Sequence, residues 1–106
     1  MKSLVRYVAL FVTVFTATVV WAAQNEVGQR NKQFTVKELK IKVGESVSFP
    51  NFDPFFHNVF SLSPAKTFDL GSYPKGETRI IKFDKAGTVH VECAIHPSMQ
   101  MDIIVE

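Results

Sequence analysis

The run Val36-Lys37-Glu38-Leu39-Lys40-Ile41-Lys42-Val43, continued by Gly44-Glu45-Ser46-Val47-Ser48-Phe49, decides the fold class. Leu39, Ile41 and Val43 alternate with Glu38, Lys40 and Lys42, and a period of two is that of a half-buried strand. Gly44-Glu45 predicts a turn, after which Val47 and Phe49 face inward on a second strand. Pro50 to Pro54 reads as a loop, and His57 to Leu62 as a third strand. Ser63 to Gly76 reads as a further loop, punctuated by Pro64, Gly71, Pro74 and Gly76. Thr78 to Phe83 alternates again, with Arg79 and Ile81 on the face of Phe83. Asp84-Lys85-Ala86-Gly87 turns the chain into the strands Thr88 to Cys93 and Met101 to Glu106. Residues 24–33 are polar and read as a flexible N-terminal segment. No stretch beyond the leader carries a helical period, and no internal repeat is visible. Short strands at regular spacing predict an all-β domain over residues 34–106, a small antiparallel β-sandwich.

The first 23 residues read as a secretory signal peptide. Lys2 and Arg6 give a charged start, Tyr7 to Val20 an uncharged and mostly apolar middle, and Trp21-Ala22-Ala23 a small-residue cleavage site. Cleavage after Ala22 and after Ala23 both fit, and a retained membrane anchor is the alternative. No cysteine lies near the cut, which argues against an acylated lipoprotein. Removing residues 1–23 from a chain of 106 leaves 83, enough for one modest core and too few for a two-domain enzyme. The net charge of +2 belongs to the leader, because without Lys2 and Arg6 ten basic residues face ten acidic ones. A neutral domain has no electrostatic footprint for nucleic acid. Export implies a periplasmic, oxidising setting, yet Cys93 is the single cysteine and can form no disulfide within the chain.

The surroundings of Cys93 suggest what the thiol is for. In Cys93-Ala94-Ile95-His96-Pro97-Ser98-Met99, cysteine, histidine and methionine recur at intervals of three, in a loop between two strands. Thiolate, imidazole and thioether together suit copper. A second imidazole must come from His57 or His90. If Cys93 points inward, Val91 and Val89 share its face, while His90 and Glu92 point to solvent. His57, at the start of a strand after a proline-containing loop, is therefore the better candidate.

With these residues the sequence resembles the cupredoxins, small type 1 blue copper proteins, and within them the amicyanin and plastocyanin group. Val43-Gly44-Glu45-Ser46-Val47-Ser48-Phe49 is similar to the group's strand ahead of the first ligand. His57-Asn58-Val59 is similar to its first-ligand motif, and Cys93-x-x-His96-x-x-Met99 to the amicyanin ligand loop. The resemblance covers residues 34–106 and implies a Greek-key sandwich holding one copper ion that alternates between Cu(I) and Cu(II). It implies that Cys93, His57 and His96 form the trigonal plane and that Met99 is the weak axial ligand. It further implies that Asn58 ties the two ligand loops together near the sulfur, and that the Phe56 carbonyl faces the metal from the other side. Two departures stand out. Ile95 occupies the position of a proline before the second histidine, and Met101 offers a second thioether that strand parity turns the same way as Met99.

The expected function is electron transport without bond making, so no catalytic residue and no enzyme activity are expected. A coordinatively full metal leaves no open position for a substrate. The resemblance implies that electrons leave through the edge of His96, with Pro97, Ile95 and Pro54 as an apolar rim for transient redox partners. Of the phenylalanines around His57, Phe49 and Phe60 are expected in the core, and Phe52 and Phe55 in a surface patch. No stable membrane insertion after cleavage is expected, and a monomer is the default. A periplasmic copper(I) carrier or storage protein is the alternative, favoured by Met101.

Overall fold

The alternation in the sequence becomes ten strands over residues 25–106, the part of the chain that the computed structural model describes. The expected signal peptide lies outside these residues. The strands are β1 (Asn25–Glu26), β2 (Gln29–Arg30), β3 (Gln33–Phe34), β4 (Glu38–Ile41), β5 (Ser46–Pro50), β6 (His57–Ser63), β7 (Lys66–Tyr73), β8 (Thr78–Lys82), β9 (Gly87–Cys93) and β10 (Gln100–Val105). No helix occurs among the described residues.

Two sheets form the domain, one in the order β1-β5-β8 and one in the order β4-β10-β9-β6-β7; β2 and β3 make a separate hairpin. The pairing is mixed rather than purely antiparallel. β4 runs parallel to β10, and β1 parallel to β5, while β5–β8, β6–β7, β6–β9 and β9–β10 are antiparallel. Val47 and Phe49 from the smaller sheet meet Val59, Val89, Val91 and Ile103 from the larger one, all without solvent exposure. Each such side chain contributes about 1.5–3 kcal/mol on burial. Phe68 joins the layers, with its ring 6.0 Å from Phe49 and 6.1 Å from Phe83.

Four expectations are corrected. The loop expected over Ser63 to Gly76 contains β7, eight residues long and paired along β6. Its alternation was masked by Gly71, which sits at a φ of 71° where the β6–β7 register shifts. The bulge adds one residue to β7, so Phe68 and Leu70 face the core, and so does Tyr73 three residues on. Val43 lies beyond the end of β4 and is 49% exposed. Phe60 is half-buried outside the core, because the inward face of β6 is His57, Val59 and Ser61. Finally, residues 25–33 are not a loose tether. β1 pairs with β5, and Val27 and Gln29 are fully buried. A polar composition hid this because Gln29 is buried by hydrogen bonding, its amide donating to the Tyr73 hydroxyl.

Candidate metal centre

β6 and β9 are neighbours, with Val59 opposite Cys93, so the start of β6 and the end of β9 meet at one edge of the larger sheet. β6 begins at His57, whose side chain turns inward. β9 ends at Cys93, inward by the same parity as Val89 and Val91. The loop that follows is pinned at three points. The Met99 N–H donates to the His96 carbonyl at 2.9 Å, the Cys93 N–H to the Met99 carbonyl at 3.3 Å, and the Ala94 N–H to the Asn58 carbonyl at 3.0 Å. This folds His96 back over the sheet edge.

Three donor atoms converge there. Cys93 Sγ lies 3.7 Å from His57 Nδ1 and 3.8 Å from His96 Nδ1, and the two ring nitrogens are 3.2 Å apart. Metal bonds of about 2.0–2.1 Å to nitrogen and about 2.3 Å to sulfur place trigonal N and S donors about 3.8 Å apart. The triangle therefore fits one ion at its centre, and its thiolate and imidazole donors are those copper favours. Cys93 and His57 are buried, while His96 is half-buried.

Each histidine is prepared for ligation. His57 Nε2 donates to Asp53 Oδ2 at 2.7 Å, which leaves the Nδ1 lone pair directed at Cys93. Burial pushes the Asp53 carboxyl upward, but hydrogen bonds from the His57 ring and from the Lys32 and Asn31 main chain outweigh it, holding the group below the usual carboxylate range. For His96, partial burial first, then the nearness of His57 and Lys32, lower the pKa against the opposing pull of Asp53, so the neutral ring is favoured. Phe55 screens both, its ring 5.3 Å from His57 and 5.4 Å from His96.

The structure thus brings His57, Cys93 and His96 together, and Met99 is buried in the same loop. Met101 is buried as well, but it pairs with Val91, one pleat further from the edge. His90 lies on the outer face, its Nδ1 2.7 Å from Asp102 Oδ1 and its Nε2 3.7 Å from Glu92 Oε1. The tie between the ligand loops runs through the Asn58 main chain, and the side-chain Oδ1 is buried without a partner. Phe52 and Phe55 are half-buried, and Phe56 is the exposed member of the group.

Sequence reasoning missed the support beneath the ligands. Asn51 donates to the Phe55 and Tyr73 carbonyls and accepts from the Asp53 N–H, which shapes the loop ahead of His57. Tyr73 pairs with His57 and donates its hydroxyl to the Phe49 carbonyl at 2.7 Å. Burial raises its pKa to about 12, with Cys93 adding to the shift and Gln29 and Arg79 opposing it. A lone acid within Phe52-Asp53-Pro54-Phe55-Phe56 was the available signal, because an aspartate among apolar residues needs partners.

The pattern of copper binding proteins of the plastocyanin/azurin family matches residues 21–106. Amicyanin-alpha of Methylorubrum extorquens is 31% identical over 88 residues, covering 80% of this chain and 74% of that protein. Plastocyanin of Ginkgo biloba is 35% identical over 85 residues, covering 68% of this chain and 84% of the plastocyanin. A solved structure of a reduced amicyanin variant aligns with a TM-score of 0.73 at 26% identity, covering 78% of this chain and 82% of the other. With its His–Cys–His triangle at the sheet edge, the chain belongs to the plastocyanin/azurin family of copper-binding proteins, as an amicyanin-like electron carrier.

Proposed function

We propose that this cupredoxin works outside the cytoplasm, passing single electrons between redox proteins that dock at the edge of His96. The observation that carries the reading is the placement of the donors. His57 and Cys93 are buried, and His96 is the one of the three that reaches the surface. Bound copper supplies a one-electron Cu(II)/Cu(I) couple. The protein's own residues hold the donors in place, exclude water and leave one ligand edge within reach of a partner.

His57, Cys93, His96 and Met99 form the proposed ligand set. Met99 is favoured over Met101 because the Cys93 N–H donates to the Met99 carbonyl, which sets residue 99 beside residue 93. In the two loops that carry the histidines, Phe56 and Ile95 are 53% and 49% exposed, and Pro54 and Pro97 are also exposed. This apolar rim suits the small, transient encounters of redox partners. The leader over 1–23 supports export to the periplasm.

The test is copper retention during redox cycling. The protein is expressed from its full sequence, loaded with Cu(II), and cycled with reductant and oxidant against a Cu(I) chelator. An electron carrier keeps its copper through repeated cycles. Loss of copper at the first reduction would instead assign the protein to copper(I) delivery or storage.

A further inference from the structure

We infer that Asp53 is a positioning residue for the metal centre, through which the N-terminal hairpin β2–β3 lowers the reduction potential. The inference rests on the copper reading above and concerns residues that are not ligands.

Asp53 is 3% exposed, and each of its oxygens has a partner. Oδ1 accepts from the Asn31 N–H at 2.7 Å, and Oδ2 accepts from the Lys32 N–H at 3.0 Å and from His57 Nε2 at 2.7 Å. The two main-chain donors come from the turn between β2 and β3. Asn31 and Lys32 stand at φ 55° and 56°, the left-handed pair that a two-residue hairpin loop requires. Consecutive left-handed residues are costly for side chains other than glycine. Here they aim two successive N–H groups at one carboxylate, an anion cradle made of backbone. The Asp53 N–H is fixed in turn by Asn51 Oδ1 at 2.8 Å. The hairpin is anchored independently, because the Phe52 N–H donates to the Gln29 carbonyl at 2.9 Å.

The consequence is electrostatic as well as steric. A carboxylate with three N–H donors stays anionic although buried, and it touches a ring whose other nitrogen faces Cys93. A carboxylate on the far nitrogen orients the ring and raises its basicity. A fixed negative charge also favours the oxidation state carrying one more positive charge, which is Cu(II). Both effects lower the reduction potential.

The test is the midpoint potential of the full-length, copper-loaded protein and of Asp53→Asn. The variant keeps the shape of the side chain, removes its charge and sets an amide NH2 against one hairpin N–H. The blue thiolate-to-copper band is expected to persist, since no ligand is changed. The midpoint is expected to rise so that, at the unmodified midpoint, the Cu(II)/Cu(I) ratio falls at least about tenfold, a shift of about 59 mV. A purely structural role would lower the melting temperature and leave the midpoint in place, and that result would overturn the inference. Absence of the band from the unmodified protein would overturn the copper reading instead. Should Asp53→Asn fail to fold, nitrogen NMR of the unmodified metal-free protein decides. The inference requires His57 as the Nε2–H tautomer with that proton protected from exchange, and an Nδ1–H ring would contradict it.

Discussion

His57 and His96 offer the same imidazole nitrogen to the same point, yet they are held in opposite ways. His57 starts a sheet strand, pairs with Tyr73, has no solvent exposure and is fixed at its far nitrogen by Asp53. His96 sits in a short loop between the exposed residues Ile95 and Pro97 and is half-buried. Their rings lie 4.9 Å apart, so the difference is not one of location. It separates two tasks. One histidine is a fixed wall of the site, and the other, on the proposed function, is its window to a partner.

The comparison is broken most severely by deleting each ring. His96→Gly is expected to leave a slot open to solvent, so added imidazole restores the blue band. His57→Gly is expected to lose copper with no rescue, because its site is closed, and to cost about 2 kcal/mol by removing one partner of a buried carboxylate. Equal rescue in both variants, read in the visible spectrum, would erase the distinction. The methionines sharpen it further. Met99→Leu conserves volume and is expected to cost under about 1.5 kcal/mol in thermal unfolding. It keeps the band but shifts the midpoint, because the weak axial ligand tunes the potential of such a site. Met101→Leu is expected to move neither band nor midpoint.

Smaller effects test the wall beneath His57. Tyr73→Phe leaves the Phe49 carbonyl and the Gln29 amide without their shared partner, a loss of about 1–3 kcal/mol in denaturant unfolding. Its pH dependence has a definite sign. The folded pKa of about 12 stands above the ordinary tyrosine value of 10.0, so the neutral phenol stabilises the fold below pH 10, and that contribution disappears as pH rises through 12. Tyr73→Phe is expected to flatten stability over this window. Unchanged alkaline unfolding would show that the hydroxyl is not part of the wall. Last in size, Ile95→Pro is expected to stiffen the His96 side alone, with slower thermal loss of the band and no change in metal-free stability beyond about 1 kcal/mol.

The site was more legible in the sequence than its foundations were. Cys93, His96 and Met99 announce themselves by spacing, and strand parity alone separates His57 from His90. That parity survives because β9 is regular, with Val89, Val91 and Cys93 inward along its length. β7 was hidden because a glycine bulge shifts its period, which no count of alternating residues detects. Asp53, Asn51 and Gln29 were hidden for another reason. Polar residues are buried here through partners distant in sequence, such as Gln29 with Tyr73, and composition carries no trace of a partner. The segment that reads as a flexible tether thus contains the turn that grips Asp53.

The measurement that bears most directly on the account is the visible spectrum of the protein after addition of Cu(II), recorded beside Cys93→Ser. The account predicts an intense blue band, abolished in the variant, bleached by reductant and restored by oxidant with the copper still bound. A colourless complex, or a band that survives the loss of Cys93, would contradict it.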